Sequence, residues 1–208
     1  KVKDRLFEIA NDIIKLAAAR ELVNGIKINT DKKILEDFQK SAGFDYTKDQ
    51  KRSIKEIFAD LSSGRVMDRL LSGDVGFGKT EVAMNAMLAV ILDGYQAIFV
   101  CPTTLLATQH YHSMQKRFSE FGINIAKLDG KTSAKEKTEI KKALEKGDIK
   151  LVIGTHSLLE IKTNNLALVI IDEEHKFGVK QKEKLKHLRE DVHIFSMSAT
   201  PIPRTLNL

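Results

Sequence analysis

The chain has 208 residues, 42% apolar and 30% charged, which suits one globular domain with a real core and excludes a disordered segment. No apolar run approaches the length of a membrane span, and the charged stretch from Lys1 to Arg20 is not that of a signal peptide. A single cysteine, Cys101, excludes an internal disulfide and fits a reducing cytoplasm, while a net charge of +6 favours a polyanionic partner.

Leu6, Ile9, Ile13, Leu16 and Ala17 recur at helical spacing, with Gly25 as a stop. Thr30-Asp31 is expected to start a short second helix carrying Ile34, Leu35 and Phe38. Gly43 breaks the pattern, and Thr47 opens a third helix to about Leu61. Residues 1–43 therefore read as a helical arm and 44–208 as the main body.

After Gly64 short apolar runs alternate with helical patterns. The runs are Asp68–Ser72, Ala97–Cys101, Ile123–Leu128, Leu151–Gly154, Leu168–Ile171 and His193–Met197. The helices are Lys79–Leu92, Thr104–Phe121 and Ser133–Leu144, the last with capping-box spacing between Ser133 and Glu136. Several runs are apolar on both faces, as strands are when helices cover each side. The predicted fold is α/β, with a mostly parallel central sheet flanked by helices. Cys101 ends one of the runs and reads as a small core residue. From Lys176 to Arg189 five lysines and one arginine stand against Glu183 alone, which fits either a solvated helix face or a phosphate-backbone contact.

Gly73-Asp74-Val75-Gly76-Phe77-Gly78-Lys79-Thr80 matches the phosphate-loop pattern G-x-x-x-x-G-K-[ST], with a predicted strand before it and a helix after it. Glycines let the backbone wrap phosphate oxygens that a Cβ would obstruct. Successive N–H groups and the helix start offer donors and positive potential to the same anion. Lys79 is expected to neutralise the β- and γ-phosphates, and the Thr80 hydroxyl to ligate Mg²⁺, so the loop reads as an ATP site. A chance glycine-rich turn is the bland alternative, and the flanking elements weigh against it.

Leu168–Ile171 runs directly into Asp172-Glu173-Glu174-His175, delivering carboxylates to the strand's C-terminal end, where ligands of α/β sheets gather. Asp172 is expected to hold Mg²⁺ through water and Glu173 to deprotonate the attacking water. By themselves such acids usually mark an exposed loop. With the upstream phosphate loop they imply a nucleotide hydrolase.

Asp172–His175 resembles the DExH box of superfamily-two helicases and translocases. Pro102-Thr103-Thr104-Leu105-Leu106-Ala107 is similar to their motif Ia, Gly154-Thr155-His156 to motif Ib and Ser198-Ala199-Thr200 to motif III. Phe44 to Gln50 resembles the Q-motif, whose glutamine reads adenine; Thr47-x-x-Gln50 is equally a capping box, and one amide can serve both. The wording around these motifs, including Asp-Glu-Glu-His-Lys-Phe-Gly-Val and Ala-Thr-Pro-Ile-Pro-Arg-Thr-Leu-Asn, resembles the bacterial transcription-repair coupling factors across essentially the whole chain.

That resemblance implies a RecA-like first motor lobe that tracks along double-stranded DNA, displaces stalled RNA polymerase and helps recruit an excision-repair protein. It places Thr103, Thr104, Gln109, His110, Thr155 and His156 against one DNA strand. Glu174, His175, Ser198 and Thr200 fall where the nucleotide state is coupled to the DNA grip. The chain begins without methionine and stops just after a motif, so it is expected to be a piece of a longer protein. A second lobe with an arginine finger is needed for brisk turnover, and slow hydrolysis is expected without it. Three alternatives stand: a RecG-type fork-remodelling lobe, a nucleotide-controlled interaction module, and a metal hydrolase using His110, His112, His156 and His175. The last is poor, because two histidines two residues apart converge neither on a strand nor on a helix.

Overall fold

The computed structural model describes residues 22–199 except 162, 164, 187 and 189, together with Asn11, Ile14, Lys15 and Ala18. The first arm helix, read from Leu6, Ile9, Ile13, Leu16 and Ala17, lies outside the described residues, as does Thr200.

Six strands form one sheet: β1 (Asp68–Ser72), β2 (Gln96–Val100), β3 (Ile125–Leu128), β4 (Leu151–Gly154), β5 (Leu166–Asp172) and β6 (His193–Ser198). Their order is β1-β6-β5-β2-β4-β3, and every pairing is parallel. All the C-terminal ends therefore emerge on one edge. The inner strands β2, β4, β5 and β6 are buried along their whole length, whereas the outer strands β1 and β3 alternate. On β2, Ala97 and Phe99 face one core while Ile98 and Val100 face the other. This is the period-two division of a sheet covered on both sides.

The larger core holds helices α1 (Lys33–Lys40), α2 (Lys48–Ser62), α3 (Lys79–Leu92) and α4 (Thr104–Ser119). The smaller holds α5 (Ala134–Lys146) and α6 (Val179–Lys186). α3 leaves β1 at one edge and returns at β2, so it crosses the face of β6 and β5. Glu81 through Ile91 are all buried there, which is why this helix is apolar on every side. The capping boxes Thr47/Gln50 and Ser133/Glu136 both form, and Gly147, at φ 80°, closes α5 in the left-handed region.

Several element ends differ from the sequence reading by one or two residues: β2, β5 and β6 are shifted or longer, α4 ends at Ser119 and α5 runs to Lys146. α1 starts at Lys33 rather than at Thr30-Asp31, because Asn29 Oδ1 accepts the Asp31 N–H and Lys32 pairs with Asp93 at 2.9 Å. β3 begins at Ile125, since the Ile123 N–H donates back to the Phe118 carbonyl and closes α4. Gly25 is a close-approach glycine: a Cβ there would lie 2.4 Å from the Arg65 carbonyl carbon, and its N–H donates to Gly64.

The described part of the arm packs into the larger core. Ile28, Leu35 and Phe38 are buried, and Phe38 stacks on Phe118 beneath the Arg117 guanidinium.

Candidate functional site

β1 ends at Ser72 and α3 begins at Lys79, so residues 73–78 bridge a strand end and a helix start. Gly76 and Gly78 have φ of 90° and 76°, where a side chain costs roughly 1–2 kcal/mol. At Gly78 a Cβ would also sit 2.3 Å from Gln50 Nε2, so the Gln50 amide would have to move aside. Asp74, Val75 and Gly76 are exposed at the tip, and Phe77 folds back against Gly73. Lys79 Nζ donates to the carbonyls of Gly73 (2.6 Å) and Asp74 (3.0 Å), which suspends the ammonium over the mouth of the loop. Thr80 lies in the first turn of α3 beside it.

Gln50 is buried behind this loop. Its Oε1 accepts the Thr47 N–H at 2.9 Å, and its Nε2 donates to Phe77 O at 3.2 Å. The capping half of the expected pair is thus present, and the donor braces the phosphate loop. Phe44 is half exposed and tilts against Tyr46.

The acidic end is built by longer-range contacts. Asp172, the last residue of β5, is buried; its Oδ2 lies 3.0 Å from His110 Nε2. Glu173 follows at φ 54°, ψ 51°, the left-handed region, and its N–H donates to Met197 O at 2.9 Å. A non-glycine residue held there is strained, and such strain concentrates at functional sites. His175 Nδ1 is 3.3 Å from Glu173 Oε2 and 3.2 Å from Ser198 Oγ, while Glu174 starts the short 3-10 turn that carries it. β6 lies between β1 and β5, and the Gly73 N–H donates to Ser198 O at 3.2 Å. One strand end therefore ties the phosphate loop to the acidic tetrad.

Of the residues assigned to DNA by resemblance, Thr103 caps α4 by accepting the Leu106 N–H, with Thr104 next to it. Gln109 and His156 are exposed, and Thr155 is buried at the end of β4. His110 turns inward to Asp172 instead. In the basic stretch Lys176, Lys180 and Lys182 are exposed, whereas Lys184 pairs with Glu160.

Among the described residues one His/Cys/Asp/Glu group has ligand spacing, Cys101–His110–Asp172, so the four-histidine reading finds no common site. Burial pushes the Cys101 thiol up, aided by the neighbouring Asp172 carboxylate, and keeps it a protonated core group. A carboxylate and a hydroxyl, Asp172 and Thr80, suit a hard oxygen-seeking cation such as Mg²⁺.

A buried network escaped the sequence reading. Glu81, directly after Thr80, accepts from the Tyr46 hydroxyl and from Arg117 (2.7 Å), and Asn85 Nδ2 donates to Tyr46 Oη at 3.1 Å. Burial, then the Glu81 carboxylate, raises the Tyr46 phenol far above its usual range. The available signal was a carboxylate and an amide, Glu81 and Asn85, on an otherwise apolar helix.

Residues 47–208 match the family model described as DEAD/DEAH box helicase. The chain belongs to that helicase family. It is 56% identical over its whole length to the transcription-repair-coupling factor of Helicobacter pylori strain J99, and 47% over 99% of its length to that of Borreliella burgdorferi. It covers 21% and 18% of those proteins, about a fifth of each. Among solved structures, RecG bound to a three-way DNA junction superimposes with a TM-score of 0.81 at 43% identity, over 92% of this chain and 26% of that one. The sheet and its flanking helices are those of a RecA-like helicase lobe. Among the described residues no helix is long and apolar enough to cross a membrane.

Proposed function

We propose that this chain is the first motor lobe of an ATP-dependent double-stranded DNA translocase that displaces stalled RNA polymerase and couples transcription to excision repair. The observation that carries the motor reading is the convergence of Gly73–Thr80 and Asp172–Glu173 on one sheet edge, joined through the end of β6. The choice of coupling factor over a fork-remodelling lobe rests on wording across the whole chain and on the 56% identity to a coupling factor against 43% to RecG.

In this reading the loop N–H groups and Lys79 bind the β- and γ-phosphates of ATP, and Thr80 and Asp172 hold Mg²⁺. Bound magnesium supplies neutralisation of phosphate charge. Glu173, fixed by the Met197 carbonyl, orients the attacking water and takes its proton. Thr103, Thr104, Gln109 and His156 grip phosphates of one DNA strand without reading sequence, while the buried Thr155 lies beneath the surface. His175 and Ser198, 3.2 Å apart, carry the nucleotide state toward that grip, with Glu174 and Thr200 beside them in sequence. The 208-residue segment alone hydrolyses ATP slowly, the arginine finger belonging to a second lobe.

Glu173→Gln in the full-length protein tests the motor. Removing a general base should lower DNA-stimulated ATP hydrolysis by on the order of 10²–10⁴ and abolish tracking on duplex DNA, with ATP binding retained. Tracking at the wild-type rate would defeat the motor and favour a nucleotide-controlled interaction module.

A further inference from the structure

His110 lies two helical turns beyond Thr103, on the face of α4 that meets the sheet. Its ring packs on that of Phe99, with centroids 5.0 Å apart, and Phe99 is fully buried in β2. Its Nε2 is 3.0 Å from Asp172 Oδ2, and both side chains are largely shielded, at 18% and 11% exposure. A carboxylate oxygen accepts, so the Nε2–H donates and the ring is fixed at two places. The contact joins residues 62 apart in sequence, one near the middle of α4 and the other at the end of β5.

From this geometry we infer that His110 is a positioning residue for the metal-ligand carboxylate and the mechanical link between α4 and the hydrolytic site. The inference deepens the motor reading and rests on it. One hydrogen bond to Oδ2 sets the rotation of the Asp172 carboxylate and leaves Oδ1 for the cation or its water. Partners of this kind, behind a metal ligand, commonly matter nearly as much as the ligand itself. Two turns earlier the same helix begins at Thr103 and Thr104, where backbone N–H groups suit phosphate oxygens. About 10 Å of helix separates Thr103 from His110 at 1.5 Å per residue, and a rigid helix transmits a shift at one end to the other. A duplex strand gripping the start of α4 thereby changes the placement of Asp172. Sequence alone hid this, because His110 falls inside a segment assigned to DNA contact.

The test uses two replacements of similar bulk in the full-length protein: His110→Gln keeps a donor near the Nε2 position, and His110→Leu removes it. Basal and duplex-stimulated ATP hydrolysis are measured against Mg²⁺ concentration, with ATP affinity measured in EDTA. His110→Leu is expected to raise half-saturating Mg²⁺ and to lower the stimulated kcat, each by roughly tenfold, as for loss of a partner behind a metal ligand. ATP affinity in EDTA stays unchanged, and His110→Gln stays within about threefold of wild type in both measures. Equal behaviour of the Gln and Leu proteins overturns the inference, since packing alone would then explain the site. If wild-type hydrolysis proves insensitive to duplex DNA, the motor reading fails by itself. The positioning role is then decided on basal hydrolysis, where an unchanged Mg²⁺ half-saturation for His110→Leu overturns it.

Discussion

The two halves of the site are made from different materials. The phosphate half is backbone: glycines in left-handed conformations, a helix start, and a lysine whose ammonium rests on the loop's own carbonyls. The acidic half is side chain: Asp172 held by His110 from a distant helix, and Glu173 kept in a strained conformation by a carbonyl of β6. A backbone site needs residue types at fixed spacing and so leaves a contiguous motif. A side-chain site is assembled across the chain, and its supports are scattered.

Lys79→Ala probes the phosphate half most severely. The change removes the ammonium and its bonds to the Gly73 and Asp74 carbonyls, which water can take over at this accessible loop, so nucleotide affinity should fall by about 10–100-fold, the value of a charge-assisted hydrogen bond, with no change in thermal midpoint. Calorimetric titration with a nucleotide analogue and a melting curve check both. A lowered midpoint would mean that Lys79 holds the loop together and that the half is not self-sufficient backbone.

Gly78→Ala comes next. The left-handed φ and the 2.3 Å approach to Gln50 Nε2 both oppose a methyl group, and a loss of about 1–2 kcal/mol is expected in chemical denaturation. In a Gln50→Ala background the loss should shrink, because the obstructing amide is gone. An equal loss in both backgrounds would assign the whole cost to φ.

The smallest effect concerns the other end of β6. His193 is fully buried; the Met67 N–H donates to its Nδ1 at 2.9 Å, and its Nε2 lies 2.6 Å from Ile26 O, so the ring is neutral and bridges arm and sheet. Burial holds it below the ordinary histidine value, partly offset by the Ile26 carbonyl. The unfolded chain takes up a proton near pH 6.5 that the folded one refuses. Stability contributed by this ring is therefore complete above that pH and declines below it. Thermal midpoints between pH 7 and pH 5 should fall more steeply for wild type than for His193→Gln. Parallel slopes would remove His193 from the account.

Much of this was legible beforehand, for physical reasons. Leu151–Gly154 has the predicted bounds because an apolar run between turn residues leaves a strand little freedom, and Asp68–Ser72 has them because the glycine-rich loop ends it. α3 is bounded by the phosphate loop and Gly94, and has the predicted ends. The start of α1 was misplaced because it depends on Asp93, some sixty residues away. Gly25 is constrained by the Arg65 backbone, which is remote and which no neighbouring residue reveals. The positions of Asp172 and Glu173 could be read from the strand they end, whereas the His110 contact has no local pattern and the Tyr46–Glu81–Arg117 network leaves only Glu81 and Asn85 as polar residues within a buried helix.

The place of β6 sets a limit on how such an engine can move. Ser72 is in register with Ser198, and Met197 with Asp172, so a single strand is laced to both halves of the site by parallel ladders. The loop and the acids cannot part or slide without unzipping the middle of a sheet. Under the motor reading, movement driven by the nucleotide therefore leaves this lobe through what joins the acids to their surroundings: side chains such as His110 and His175, and the helix starts that overhang the sheet edge. The lobe is an anvil, and the stroke belongs to what is mounted on it.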